Sequence, residues 1–434
     1  GDFGGGIRVG HAALLNETNQ GVQYTDADND YVTIRHNQII SNGGVDGAGG
    51  GISVCTGSDG YQIVQNYVCG NFTLSHGAGI GHLGLSDNGL IDGNKILFNE
   101  NFNQGTVVSG GGVFVGGQPP LAGQTLSLGS GTVTISGNLI QGNLAGVGDG
   151  GGIKTSNVNG PELLIRGRRP WRYRVDIVNN IIVNNVAALA GGGIALQDTA
   201  FSSVLFNTIA HNDSTATSSL AFGGATPNES NPQPAGIVSR AHTAALLPAL
   251  ASIGNTSRFS DPDLRNNIVW ENRSFHFAAD LNADPPVFRL LPDVASGNSP
   301  VFWDLGVLGT GFAADRLSPQ YNVLTSTSGY PGNTSADPGF VSPYFNGGRG
   351  TTYSNGIEPT TAIQVPAAFD EGGTFIRVRF GLLRPYGNYH LGATSGVLNQ
   401  GDPSAVGSLM YDIDGQPRVI GSAPDPGADE VPQP

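Results

Sequence analysis

One pattern recurs seven times between residues 34 and 272 and limits the fold more than any other feature of the chain. It reads aliphatic, two residues of any kind, Asn, any residue, Ile or Val, two of any kind, Asn. The Asn pairs are Asn37/Asn42, Asn66/Asn71, Asn94/Asn99, Asn138/Asn143, Asn180/Asn185, Asn207/Asn212 and Asn267/Asn272. The aliphatic residue before the first Asn is Ile34, Ile63, Ile91, Ile135, Ile177, Val204 or Leu264, and the one after it is Ile39, Val68, Ile96, Ile140, Ile182, Ile209 or Val269. A second motif alternates with the first: a triplet of small residues followed by Ile or Val, as in Gly49-Gly50-Gly51-Ile52, Gly77-Ala78-Gly79-Ile80, Gly150-Gly151-Gly152-Ile153 and Gly191-Gly192-Gly193-Ile194.

Successive Asn motifs are 29, 28, 44, 42, 27 and 60 residues apart. We take the spacing near 28 as the bare repeat and the longer ones as loops inserted at fixed corners. Within a repeat, stretches such as Val133-Thr134-Ile135 alternate as strands do, and no segment has a helical period. A single repeat of two or three short strands cannot bury its inward face. Stacking repeat on repeat buries a continuous aliphatic column and lets Asn side chains at equivalent corners bond from one repeat to the next. The expected fold is therefore all-β: a right-handed parallel β-helix of about seven or more coils. Residues 1–275 are assigned to the helix. Residues 276–434 are assigned to its continuation and an irregular closing segment, with a strand-rich insertion at 344–388. Residues 213–260 are expected to be a long loop between coils.

Composition bears on partners. With 68 Gly, 12% charged residues and 38% hydrophobic ones, the chain is turn-rich and still able to build a core. The net charge of −14 disfavours nucleic acid and anionic membrane as partners. No apolar run is long enough to span a bilayer. Lys95 and Lys154 are the only lysines, and Cys55 and Cys69 the only cysteines. A single cysteine pair in such a composition points to an oxidising, extracellular or cell-surface setting, with Cys55 bonded to Cys69; two buried free thiols are the alternative. The chain opens on a glycine motif with no cap before it, as a processed or truncated start would. An upstream domain or another protein chain is accordingly expected against residues 1–40.

The C-terminal third carries Asp337-Pro338-Gly339-Phe340-Val341, Tyr389-His390-Leu391, Gly401-Asp402-Pro403, Asp412-Ile413-Asp414-Gly415-Gln416-Pro417-Arg418 and Asp425-Pro426-Gly427-Ala428-Asp429-Glu430. These segments resemble the close of the choice-of-anchor type of secreted bacterial β-helix proteins. The glycine and Asn repeats are similar in style to those of polymorphic outer membrane proteins. The resemblance implies a fold and a surface location and is nearly silent on activity. The stretch from 343 to 388 is longer than that family's closing segment.

Three groups of residues are candidate sites. Asp26, Asp28 and Asp30 alternate in a short loop, as oxygen ligands of Ca2+ do, although no glycine and distal Glu complete a calcium loop; a solvated turn is the alternative. His76 and His82, with Cys55 and Cys69 one coil earlier, could form a copper or zinc cluster or be hydrogen-bonded turn residues. Arg166, Arg168, Arg169, Trp171, Arg172, Tyr173 and Arg174 form a basic, aromatic run in an otherwise acidic chain. Such a run suits an acidic polysaccharide or an acidic protein face, or else pairs with local carboxylates. Serine-nucleophile, metalloprotease and phosphate-loop motifs are absent. The leading expectation is an extracellular structural, adhesive or assembly protein without catalysis. The alternative is a polysaccharide lyase or hydrolase using a carboxylate and Arg groove, with Asp176, Asp198, Arg172 and Arg174 as candidates. A shell component of a metal- or electron-transfer complex is a third.

Overall fold

The two motifs each become strands, and equivalent strands pair in parallel from repeat to repeat. In the computed structural model, residues 4–432 are described except 12–14, 19–20, 25, 46, 104, 166–171, 225, 285–286, 296–300, 345–352 and 356–386. The residues after each glycine triplet form an eight-stranded parallel sheet that begins Ile7–Val9, Ile52–Cys55, Ile80–Leu83 and ends at Leu305–Leu308. The strands before the first Asn, from Thr33–Arg35 to Asp263–Arg265, form a seven-stranded sheet. Those between the two Asn, from Gln38–Ile40 to Val323–Leu324, form a third, eight-stranded sheet. Short strands after the second Asn, from Gly43–Gly44 to Asp213–Ser214, make a fourth row. It runs into a hairpin of Arg273–Asp280 with Val287–Pro292.

The register places like on like. Ile39 pairs with Val68, Val68 with Ile96, Ile96 with Ile140, Ile140 with Ile182, and Ile182 with Ile209. All six are buried, as are the parallel columns through Ile63, Ile91 and Ile135 and through Ile52, Ile80 and Val113. Each fully buried side chain of this size stabilises the fold by roughly 1.5–3 kcal/mol.

The Asn residues form two ladders. In the first, the Nδ2 of Asn66 donates to Asn94 Oδ1 at 3.0 Å, Asn94 to Asn138 at 3.0 Å, Asn138 to Asn180 at 2.9 Å and Asn180 to Asn207 at 2.9 Å. The second Nδ2 hydrogen goes to the aliphatic carbonyl of the neighbouring coil, as from Asn138 to Ile91 O at 2.9 Å. The Oδ1 also accepts the backbone N–H of its neighbour, as from Asn94 at 2.9 Å. Only a primary amide of this length supplies two donors and an acceptor at one corner, so neither Asp nor Gln substitutes.

Each ladder Asn is preceded by a residue in the left-handed region, which turns the chain sharply between strands. Glycine holds some of these corners, such as Gly93 (φ 63) and Gly137 (φ 61), but Gln65 (φ 53), Asn179 (φ 56), Phe206 (φ 55) and Asn266 (φ 57) hold others. The triplet glycines serve close packing: a Cβ on Gly193 would lie 2.7 Å from Gly236 O and 2.8 Å from Ile209 Cγ2.

The larger spacings are inserted loops, as expected, but residues 213–260 are more ordered than a long loop. They include the strand Ile237–Arg240 and a helix, Leu246–Ser252, whose Leu246, Ala249 and Leu250 pack on Leu163. No helix among the described residues is long and apolar enough to cross a membrane.

The closing segment docks on the outer side of the third sheet. Tyr389, Phe340, Ile413 and Ala428 cover Ile181, Val183 and Ala210. Left-handed corner residues grip it. Asn179 Nδ2 donates to Tyr411 O at 2.8 Å, Asn184 Nδ2 to Tyr344 O at 2.9 Å, and Asn266 Nδ2 to Asp402 O at 2.9 Å. Arg418, 1% exposed, lies over the Phe206 ring and donates to Asn179 Oδ1, Gly427 O and Ala428 O. The Asp-Pro-Gly-Ala-Asp-Glu motif is structural here: Asp425 accepts from Val431 N at 3.0 Å, Asp429 from Leu391 N at 2.8 Å and Glu430 from Asp425 N at 2.9 Å.

Candidate functional site

Alternation along the first sheet sends every second side chain outward, where inserted loops cover it. Val113 and Val115, and Ile153 and Thr155, face the core. Phe114 and Lys154, paired in register, face outward beneath the loops. Lys154 is nevertheless buried, with 4% of its side chain exposed. Its Nζ lies 3.2 Å from Asp149 Oδ2 and 3.3 Å from Gln197 Oε1. Arg240, from a strand two positions along the stack, binds the same carboxylate with Nε at 2.5 Å and Nη2 at 2.7 Å. Asp149 directly precedes Gly150, whose left-handed φ of 72 opens the triplet turn, so the carboxylate sits at the start of the strand that carries Lys154.

These groups line a cavity of about 330 Å3 with His76, Phe114 and Leu189. The His76 imidazole stacks on Phe114 at 4.4 Å, and its Nδ1 accepts the Ser109 N–H at 3.1 Å. The proton is thereby placed on Nε2. Burial, reinforced by the Lys154 charge, lowers the His76 pKa to about 4, so the ring is neutral at physiological pH. Burial also lowers the Lys154 pKa, against the attraction of Asp149. For Asp149, burial opposes ionisation, but Lys154 and Arg240 outweigh it and hold the carboxyl below its ordinary range. Two cations share the carboxylate of Asp149, and Asp198 is the other acidic group whose charge reaches Lys154. A cationic lining of this kind suits an anionic group.

Residues expected from the sequence to act together are mostly placed apart. Cys55 and Cys69 are free and buried, so the expected disulfide is not formed. Cys55 ends a strand of the first sheet and Cys69 one of the third, which puts them on different faces of the coil. His82 lies in the core between Val54 and Val115, bonded to Tyr61 Oη at 2.8 Å and to Gly84 O and Ser130 O. His76 is outside, so the two histidines share no centre with each other or with the cysteines. Asp26 accepts its own loop's Asp28 N–H at 2.9 Å, and Asp30 accepts Asp59 N–H at 2.9 Å. Asp30 thus starts a short carboxylate ladder in which Asp59 accepts from Asp87 N and Asp87 from Thr132 N.

Of the basic run, Arg166, Arg168, Arg169 and Trp171 lie outside the described residues. Arg172 stacks on Phe201 at 5.0 Å, Tyr173 packs on the core, and Arg174 pairs with Asp176 at 2.6 Å. Asp198 faces His242 at 3.3 Å rather than an Arg. The expected lyase groups Asp176, Asp198, Arg172 and Arg174 are thus engaged in separate local contacts. The Asp149, Lys154 and Arg240 site was not foreseen; its one sequence signal is the rarity of lysine. Compared with known proteins, the chain matches no family model, no curated protein and no solved structure.

Proposed function

We propose that this chain is an extracellular, right-handed parallel β-helix protein of the choice-of-anchor kind that works by contact, holding the carboxylate of an acidic glycan in the Lys154 cavity. The carrying observation is that buried Lys154 and half-buried Arg240 share the carboxylate of Asp149 beside the Phe114 and His76 rings. An incoming carboxylate would meet both cations, His76 Nε2–H is available to donate, and the rings suit the apolar face of a sugar. The right-handed winding follows from the usual hand of parallel crossovers. The same contact reading extends to the first strands of the three main sheets, within residues 1–40, where a further chain or domain would add strands. Titration calorimetry with oligogalacturonate as probe tests the glycan reading. Binding by the intact chain, lost in Lys154→Met, is expected. Absence of binding, or equal binding by the variant, would overturn it.

A second reading starts from the position of Lys154, which lines the cavity beside His76 and Arg240, where burial lowers its pKa. A neutral Nζ could remove the proton next to a uronate carboxylate. The electron pair then forms the ring double bond, and the glycosidic C–O bond breaks as the leaving oxygen takes up a proton. Ultraviolet absorbance of an unsaturated uronate product, absent with Lys154→Met, separates this lyase reading from simple binding.

A further inference from the structure

The closing segment brings three of its own pieces to one point. His390 lies in the strand Asn388–Leu391, which pairs with Phe340–Ser342. Asp414 sits in a turn in which Asp412 Oδ1 accepts the Asp414 and Gln416 N–H groups at 3.0 and 2.7 Å. Asp429 belongs to the last described stretch and is buried. One ligand atom from each of His390, Asp414 and Asp429 lies within 4.8 Å of the others. His390 Nε2 is 3.1 Å from Asp414 Oδ2, close to one edge of a tetrahedron built on bonds of about 2.0–2.1 Å.

The hydrogen bonds around the ring fix its orientation. Asn388 Oδ1 accepts the His390 backbone N–H at 3.0 Å, which identifies that atom as the oxygen. The same oxygen lies 2.5 Å from His390 Nδ1, so Nδ1 carries a proton. In the neutral ring, Nε2 then presents a lone pair to the Asp414 carboxylate, and it has no hydrogen-bond partner. Either a cation bound between or beside them or a second ring proton, on Nε2, satisfies this pair. Asp429 offers a carboxylate oxygen to the same point, and its Oδ2 accepts the Leu391 N–H. The Arg418 guanidinium is directed to Asn179 and to the carbonyls of Gly427 and Ala428. Beside the cluster is a cavity of about 550 Å3, lined by His390, Asp414, Asn388, Tyr389, Lys95 and Gln141.

We propose that His390, Asp414 and Asp429 bind one divalent transition-metal ion of the Zn2+ class, with Asn388 orienting the imidazole and an open coordination position facing the cavity. One imidazole and two carboxylates suit such an ion better than Ca2+, which takes six to eight oxygens. Bound there, the ion ties three pieces of the closing segment together. The test is titration of the full chelator-stripped chain with Zn2+, followed by the visible spectrum of the Co2+ form. A single tight site is expected, weakened at least about tenfold in Asp414→Asn and more in His390→Gln. The Co2+ spectrum should show nitrogen and oxygen ligation that His390→Gln alters. Unchanged thermal unfolding of the metal-free variants shows that they fold. Failure of the intact chain to bind Zn2+ tightly would overturn the proposal and leave an imidazolium–carboxylate ion pair. So would equal binding by folded His390→Gln, which would place the metal at other histidines.

Discussion

Asn272 donates from both its backbone N and its Nδ2 to one oxygen of Asp304, at 3.2 and 2.9 Å, and the second Asn ladder, which runs through Asn185 and Asn212, ends there. The other Asp304 oxygen accepts Thr325 N–H at 2.9 Å. Every earlier rung must accept from one neighbour and donate to the next. This last rung accepts on both sides, and a carboxylate does so. Burial pushes the Asp304 pKa up, so the ladder's end holds its proton more firmly than a free Asp.

Removing an interior rung should be costly. Asn138→Ala orphans the Asn94 N–H and one Asn94 Nδ2 hydrogen on one side and leaves Ile91 O without its Asn donor, while Asn180 Oδ1 keeps only the backbone N–H of residue 138. Each buried orphan costs about 1–3 kcal/mol, so a loss of at least about 3 kcal/mol is expected in urea unfolding. A loss below about 1 kcal/mol would mean that the ladder adds little to the aliphatic column.

The corners before each Asn give a test of opposite sign. Gly93→Ala places a Cβ in the left-handed region 3.2 Å from Gln65 Cγ, and should lower stability by about 1–2 kcal/mol. Gln65→Gly, at the exposed equivalent corner, should raise it by up to about 1 kcal/mol, offset in part by the freer unfolded chain. Melting temperatures of the two variants moving in the same direction would contradict the corner assignment.

The repeat was legible because its partners are its own copies: Ile39 predicts Val68, and Asn66 predicts Asn94. The corners were only half legible. Gly93 announces a left-handed residue, whereas Phe206 and Asn266 hold the same conformation because the stack and the docked C-terminal segment override its cost. The separation of Cys55 from Cys69 was readable, since one follows the glycine motif and the other the Asn motif. The Lys154 site was not, because Arg240 is 91 residues from Asp149 in sequence and loops of variable length hide their common height on the stack. The closing motif was visible as a resemblance, but the amides its carboxylates accept from could not be assigned before the segment was seen folded.

The shared carboxylate separates two kinds of substitution. Lys154→Met leaves Asp149 paired with Arg240 and should change stability little, while removing one of the two cations. Asp149→Asn leaves buried Lys154 and half-buried Arg240 without their shared counter-ion and should cost about 3–5 kcal/mol. Chemical denaturation of both variants checks this, and a Lys154→Met loss as large as that of Asp149→Asn would mean that the lysine is needed for folding rather than for ligand.

Glu430 sets a pH dependence with a defined sign. Burial raises its pKa from 4.5 to about 7, although the Asp425 and Ile420 N–H groups favour the ionised form. The folded chain therefore binds this proton more tightly than the unfolded chain. The resulting stabilisation is fully present below pH 4.5 and is lost as pH rises through about 7. Asp425 and Asp429, also raised by burial, act in the same direction. Buried carboxylates held low, such as Asp149, act oppositely, so the informative quantity is the difference between the intact chain and Glu430→Gln. That difference in unfolding free energy should favour the intact chain most at low pH and shrink between pH 4.5 and 7. A difference that is flat across this window, measured by urea unfolding at several pH values, would show that Glu430 is ionised in the fold throughout.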